Sequence, residues 1–245
     1  MRPSSTINSI VALLLTFAAG FVDIVGFIAL LRTFTAHMTG NTVHAAYRLA
    51  SGREGDGLFA IAVIAAFLGG SIIGRALIEA AARQGVRRIA SITLALEAAL
   101  IAVVAFSDPQ RTGHAHVLLL LLSTAMGLQT ASLTKVGPLT VHTTFVTGML
   151  NKLAQLISHA LFLSYDTVVR KQPLQQHRRR VFRDASFIFS IWLLYLSGAG
   201  AGTRLTLDWK LHALIIPLGL LALAVCADLL RPLSLQEEKD ELEAH

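Results

Sequence analysis

Two carboxylates, Asp23 and Glu97, sit inside stretches that are otherwise apolar. A charge at the centre of a bilayer costs at least about 2.5–3.5 kcal/mol, so such a group faces a cavity, a partner or an ion path. Asp23 could handle an ion or a substrate, or it could hold a nearby chain break by hydrogen bonds. Glu97 offers a similar choice: a carboxyl that carries a proton, or one paired with Arg32, His37 or Lys152. Proton or ion coupling is therefore expected at Asp23 and Glu97.

A second constellation is a pair of Thr-Gly segments. Thr39-Gly40-Asn41-Thr42 follows His37-Met38, and Thr147-Gly148 follows Phe145-Val146. Each precedes a helix-like run. Threonine or asparagine supplies an N-cap and glycine lets the backbone turn. A helix that starts at membrane depth turns its N–H groups and partial positive charge on whatever sits there. Two such starts brought together would hold an anionic or polar group. Substrate binding is accordingly expected at Asp23, His37, Thr39, Gly40, Asn41, Thr42, Gln129, Thr147 and Gly148. The competing reading is that these are ordinary caps at the membrane surface. His37 and His142 could titrate during transport or serve as interfacial polar residues.

Other chemistries find little support. There is no GxSxG, HExxH, Walker A or GxGxxG pattern, so no enzyme is expected. His114 and His116 lack a carboxylate or thiol beside them, and the one cysteine, Cys226, can form neither an intramolecular disulfide nor a CxxC site. No metal and no cofactor are expected, and Cys226 reads as a small packing residue. The net charge of +6 would suit nucleic acid, but no aromatic-interleaved basic stripe accompanies it. Retention of Lys and Arg on the cytoplasmic face of a membrane explains the charge, and no nucleic-acid partner is expected.

The elements that must position these residues are membrane helices. Of the 245 residues 54% are hydrophobic and only 15% charged, with a mean hydropathy of +0.62. Six stretches suit crossing helices, at residues 10–31, 58–78, 89–106, 117–133, 187–203 and 211–230. Long apolar runs exclude the alternation of a barrel strand. Two further stretches, 39–50 and 147–165, are short or polar. The densest basic segments are Arg75 to Arg88 and a loop from Arg170 to Arg183. Both fall on one side if neither weaker stretch crosses, and on opposite sides if both do. The expectation is an all-α bundle with six transmembrane helices and two re-entrant or broken helices. Both termini would be cytoplasmic.

The chain also repeats itself. Gly20-Phe21-Val22-Asp23 and its Thr39-Gly40 match Gly127-Leu128-Gln129-Thr130 and its Thr147-Gly148. Phe67-Leu68-Gly69-Gly70 with Gly74 matches Tyr195-Leu196-Ser197-Gly198 with Gly202. Within one membrane domain spanning 1–245, the halves are 7–108 and 115–232, followed by a polar tail at 233–245. Three crossings per half would invert one half relative to the other, as in many secondary transporters. Gly70xxxGly74 and Gly198xxxGly202 are close-contact motifs, at the repeat interface or in a homodimer.

These motifs resemble the YoaK family of bacterial membrane proteins, a domain-of-unknown-function family. The likeness is carried by Ala19-Gly20-Phe21-Val22-Asp23-Ile24-Val25-Gly26-Phe27, by Phe34-Thr35-Ala36-His37-Met38-Thr39-Gly40-Asn41-Thr42, and by Gly127-Leu128-Gln129 with Thr143 to Gly148. An asparagine is usual where Thr130 stands. The resemblance implies a small integral membrane protein regarded as a transporter without a settled substrate. The expected partners are thus the lipid bilayer and an unidentified small molecule. A channel-like pore or a non-transporting scaffold or sensor are the alternatives.

Overall fold

Apolar runs set the architecture, because each closes its own backbone hydrogen bonds as a helix, and the helices that contain them are 16 to 35 residues long. In the computed structural model the described residues are 3–86, 88–108, 114–132, 135–136, 139–140, 143–171, 175–230 and 233. Helix α1 is Pro3–Ala29, α2 Met38–Ala50, α3 Glu54–Arg83, α4 Ile89–Ala105 and α5 Ala115–Ser132. A two-residue antiparallel pair, Lys135–Val136 with Leu139–Thr140, follows. Then come α6 Val146–Val168, α7 Gln175–Trp209, a 3-10 turn at Lys210–Leu214, and α8 Ile215–Leu230. Residue 142 and the tail from 234 onward lie outside the described residues, and so do the readings placed on them.

Among the described residues four helical runs are long and apolar enough to cross a membrane: Thr6–Ala29, Glu54–Arg83, Ala115–Ser132 and Gln176–Leu230, the last covering nearly all of α7 and all of α8. Ala90–Ala105 is apolar but shorter. Many large apolar side chains on the outer faces are exposed, among them Leu68, Ile72, Phe162 and Leu223. Such faces suit lipid. The expected basic loop from Arg170 to Arg183 is largely helix, since α7 begins at Gln175 and carries Arg178 to Arg183 in its first turns. At about 1.5 Å per residue its 35 residues span about 52 Å, well beyond the roughly 30 Å of bilayer hydrocarbon. Charge marked the end of the apolar run, not the end of the helix.

The glycines decide which helices meet. A Cβ on Gly20 of α1 would fall on the Tyr195 carbonyl of α7, and one on Gly198 of α7 would fall on the Phe17 carbonyl. The same contacts occur between α3 and α5: Gly127 faces the Phe67 carbonyl, and Gly70 faces the Thr124 carbonyl. Close backbone approach of this kind needs small residues. Each half thus lends one helix to the other, α1 to α7 and α5 to α3. The core follows these pairs: Phe21, Leu94, Leu122, Met126 and Ile188 are fully buried at their centre. Cys226, expected to pack inside, is exposed on α8.

Candidate functional site

The break between α1 and α2 is held by two side chains. Asp23 is 4% exposed. Its Oδ1 accepts from the Thr35 N–H at 2.7 Å, the Thr35 hydroxyl at 3.0 Å and the Ala36 N–H at 2.8 Å. Its Oδ2 accepts from the Tyr195 hydroxyl at 2.8 Å. Asn41 closes the other side of the break. Its amide donates to the Phe34 carbonyl at 2.7 Å and accepts from the Phe34 N–H at 3.3 Å. These bonds satisfy backbone groups that would otherwise be stranded away from water. Asp23 and Asn41 therefore fix the path of residues 33–37 and set where α2 begins.

The second break, between α5 and α6, uses neutral groups. The Thr130 and Thr144 hydroxyls lie 2.8 Å apart. Gln129 donates to the Leu15 carbonyl at 2.7 Å and to the Thr143 hydroxyl at 3.3 Å. Gln129 Oε1 is buried with no partner among the described residues.

Both helix starts open on one cavity of about 280 Å³. The first half contributes Ala36, His37, Met38 and Thr39 with Phe67 of α3. The second contributes Thr130 and Thr144 with Phe145, Val146 and Thr147. Among the described residues neither α2 nor α6 has a side-chain cap hydrogen bond at its N-terminus. In each the ring of the residue before the helix, His37 or Phe145, lies over the glycine three positions on, Gly40 or Gly148, where a Cβ would strike it. The Thr-Gly glycines thus make room for a ring at the cavity mouth. Threonine hydroxyls, two rings and two positive helix ends suit a small solute with an anionic or polar group.

Of the expected site residues, His37, Thr39 and Thr147 line this cavity. Gly40 and Gly148 sit directly behind the rings. Asp23, Asn41 and Gln129 lie outside the lining and brace the segments. Thr42 is exposed and bonds the Met38 carbonyl within its own helix at 2.8 Å. Glu97 is fully buried in α4, and neither carboxylate oxygen has a partner among the described residues. The pairings considered for it with Arg32, His37 or Lys152 are not formed. Arg32 instead lies over the Phe27 ring, 5.9 Å from its centroid.

Several residues escaped the sequence reading of the site, Tyr195, Phe67, Phe145 and Asp228 among them. Tyr195 is the tyrosine of α7, and a phenol in an apolar helix calls for an acceptor. Phe67 and Phe145 look like lipid-facing aromatics until the cavity is seen. Asp228, inside α8, was equally legible as a lone carboxylate; it accepts from the Ser91 N–H and hydroxyl and from the Leu233 N–H.

The sequence from 11 to 227 matches the family described as a protein of unknown function, DUF1275. The chain is also similar to the UPF0700 transmembrane protein YoaK of Bacillus subtilis (strain 168). The two are 32% identical over 165 residues, which are 64% of this chain and 73% of that protein. No solved structure matches. The apolar helices and this likeness make the protein a membrane-embedded, multi-pass one. With the family pattern running through both breaks and the helices that brace them, the chain belongs to the DUF1275 family of YoaK-like transmembrane proteins.

Proposed function

We propose that the protein is a small secondary transporter or permease that passes a solute with an anionic or polar group through the cavity between α2 and α6. The observation that carries this reading is that both helix starts and both halves of the chain contribute to one cavity. The helices α1, α3, α4, α5, α7 and α8 would cross the membrane six times, with α2 and α6 as the two broken segments. The halves would form an inverted repeat, a reading supported by the matching glycine contacts of α1 with α7 and of α5 with α3. The arginines at the start of α7 would lie in the cytoplasm of a bacterial cell, with both termini on the same side of its inner membrane.

Glu97 is the better coupling group in this scheme. Asp23 already accepts four hydrogen bonds, whereas Glu97 is buried with neither oxygen bonded among the described residues. The scaffold reading draws on the same bonds of Asp23, which are what a purely structural carboxylate would make.

The deciding experiment is uptake by proteoliposomes. Small organic anions, zwitterions and sugars would be offered with and without a pH gradient. Wild type is expected to accumulate at least one solute, faster under one gradient direction. If no solute moves under any gradient, the carrier reading is wrong and the scaffold reading takes its place.

A further inference from the structure

The cavity is symmetric in sequence except at two positions. Counting 108 residues on from Ala36 to Thr39 gives Thr144 to Thr147, and every one of these lines the cavity. The remaining two lining residues are Phe67 and Thr130. Their counterparts follow from the offsets that superpose the interface glycines. Gly70 and Gly198 are 128 apart, which takes Phe67 to Tyr195; Gly20 and Gly127 are 107 apart, which takes Thr130 back to Asp23.

Those counterparts are the two residues tied to each other. The Tyr195 hydroxyl donates to Asp23 Oδ2 at 2.8 Å, and neither side chain lines the cavity. The second half keeps only part of this arrangement. Thr130 meets Thr144 at 2.8 Å, as Asp23 meets the equivalent Ala36 N–H, but Phe67 has no polar atom to complete a tie. One half is therefore closed where the other is open. Two halves of one inverted repeat reach alternating access by exchanging their conformations about a fixed site.

We propose that Asp23 and Tyr195 form the second gate of the same binding site, the counterpart of Thr130 and Phe67. In the alternate state the Tyr195–Asp23 hydrogen bond opens and these two side chains line the cavity, while Phe67 and Thr130 close against each other. The inference rests on the transport reading. It also assigns a difference between the two sides: an anionic solute meets a carboxylate at one gate and a threonine at the other, so it binds less tightly where Asp23 faces it.

The test is hydroxyl-radical footprinting of reconstituted protein, read residue by residue by mass spectrometry. Wild type, Tyr195→Phe and the double variant Phe67→Tyr with Thr130→Asp are compared. Wild type is expected to be labelled at Phe67 and protected at Tyr195. Tyr195→Phe should raise labelling at position 195 and lower it at Phe67, by about tenfold in their ratio, the scale of one lost hydrogen bond to a charged group. The double variant leaves the Asp23–Tyr195 bond intact and supplies a second tie, so it should protect position 67 and close the cavity. A rise at 195 with no protection of Phe67, or no change at either position, overturns the gate. Uptake measured on the same samples separates the two ideas: wild type that moves no solute refutes the transport reading, whereas uptake without reciprocal labelling refutes the gate alone.

Discussion

Asp228 Oδ2 accepts from both the backbone N–H and the hydroxyl of Ser91, at 2.9 and 2.5 Å, while its Oδ1 accepts the Leu233 N–H at 2.7 Å. One fully buried carboxylate thus ties the start of α4 to the end of α8 and to the chain beyond it. It also sits at the first turn of α4, where the helix dipole favours a negative charge. Asp228→Ala leaves three donors without their acceptor, and each costs about 1–3 kcal/mol if it stays unpaired. Thermal unfolding in detergent should fall by several degrees, at roughly 2–4 °C per kcal/mol. An unchanged midpoint would mean that water reaches Ser91.

The glycine contacts make a prediction with its own control. Gly127→Ala and Gly198→Ala place a Cβ on a backbone carbonyl of the facing helix, which cannot give way as a flexible side chain would. Overpacking of this kind costs about 1–3 kcal/mol. Gly69 and Gly219 lie on the same kinds of helix with nothing within 4 Å of the added carbon. Alanine there should be neutral or stabilise by about 0.5–1 kcal/mol through helix propensity. Equal melting points for all four variants would break the assignment of α1 to α7 and of α3 to α5.

How much of this could be read from the residues depends on the kind of signal. The apolar runs located α1, α3, α4, α5, α7 and α8, because lipid leaves a continuous apolar stretch no other form, whereas the 23-residue α6 came from a weaker, more polar stretch. Their ends were less legible. The first turns of α7 are rich in arginine and glutamine, which are good helix formers, so charge there does not stop the helix. The Thr-Gly segments pointed to the cavity, and the carboxylate of Asp23 pointed to the adjacent break. What could not be read was that Asp23 is satisfied by a tyrosine 172 residues away, or that Phe67 faces the cavity and not lipid. Both facts come from which helix each half lends to the other, and no single half contains that information.

A bulky side chain in the cavity should separate transport from stability. Thr147 is exposed and lines the cavity at the start of α6. Thr147→Trp adds volume where a solute would sit and removes no buried bond, so unfolding should stay within about 0.5 kcal/mol of wild type. Uptake should fall by at least about tenfold if the cavity is the route, since one blocked contact surface is worth 1.4 kcal/mol or more. Uptake equal to wild type would place the route elsewhere in the fold.

Glu97 should show the opposite trade. A buried carboxyl with neither oxygen hydrogen-bonded among the described residues costs stability, whichever form it takes. Glu97→Leu replaces it with an apolar side chain of similar size among Leu94, Ile101 and their neighbours in the core. The variant should unfold at a higher temperature, by an amount equivalent to about 1–3 kcal/mol. If Glu97 carries the coupling proton, the same variant should lose uptake driven by a pH gradient while keeping downhill exchange of labelled solute. A lower melting point would reveal a partner for the carboxyl that the fold does not show. Gradient-driven uptake at the wild-type rate would remove Glu97 from the coupling path, since a leucine has no proton to give.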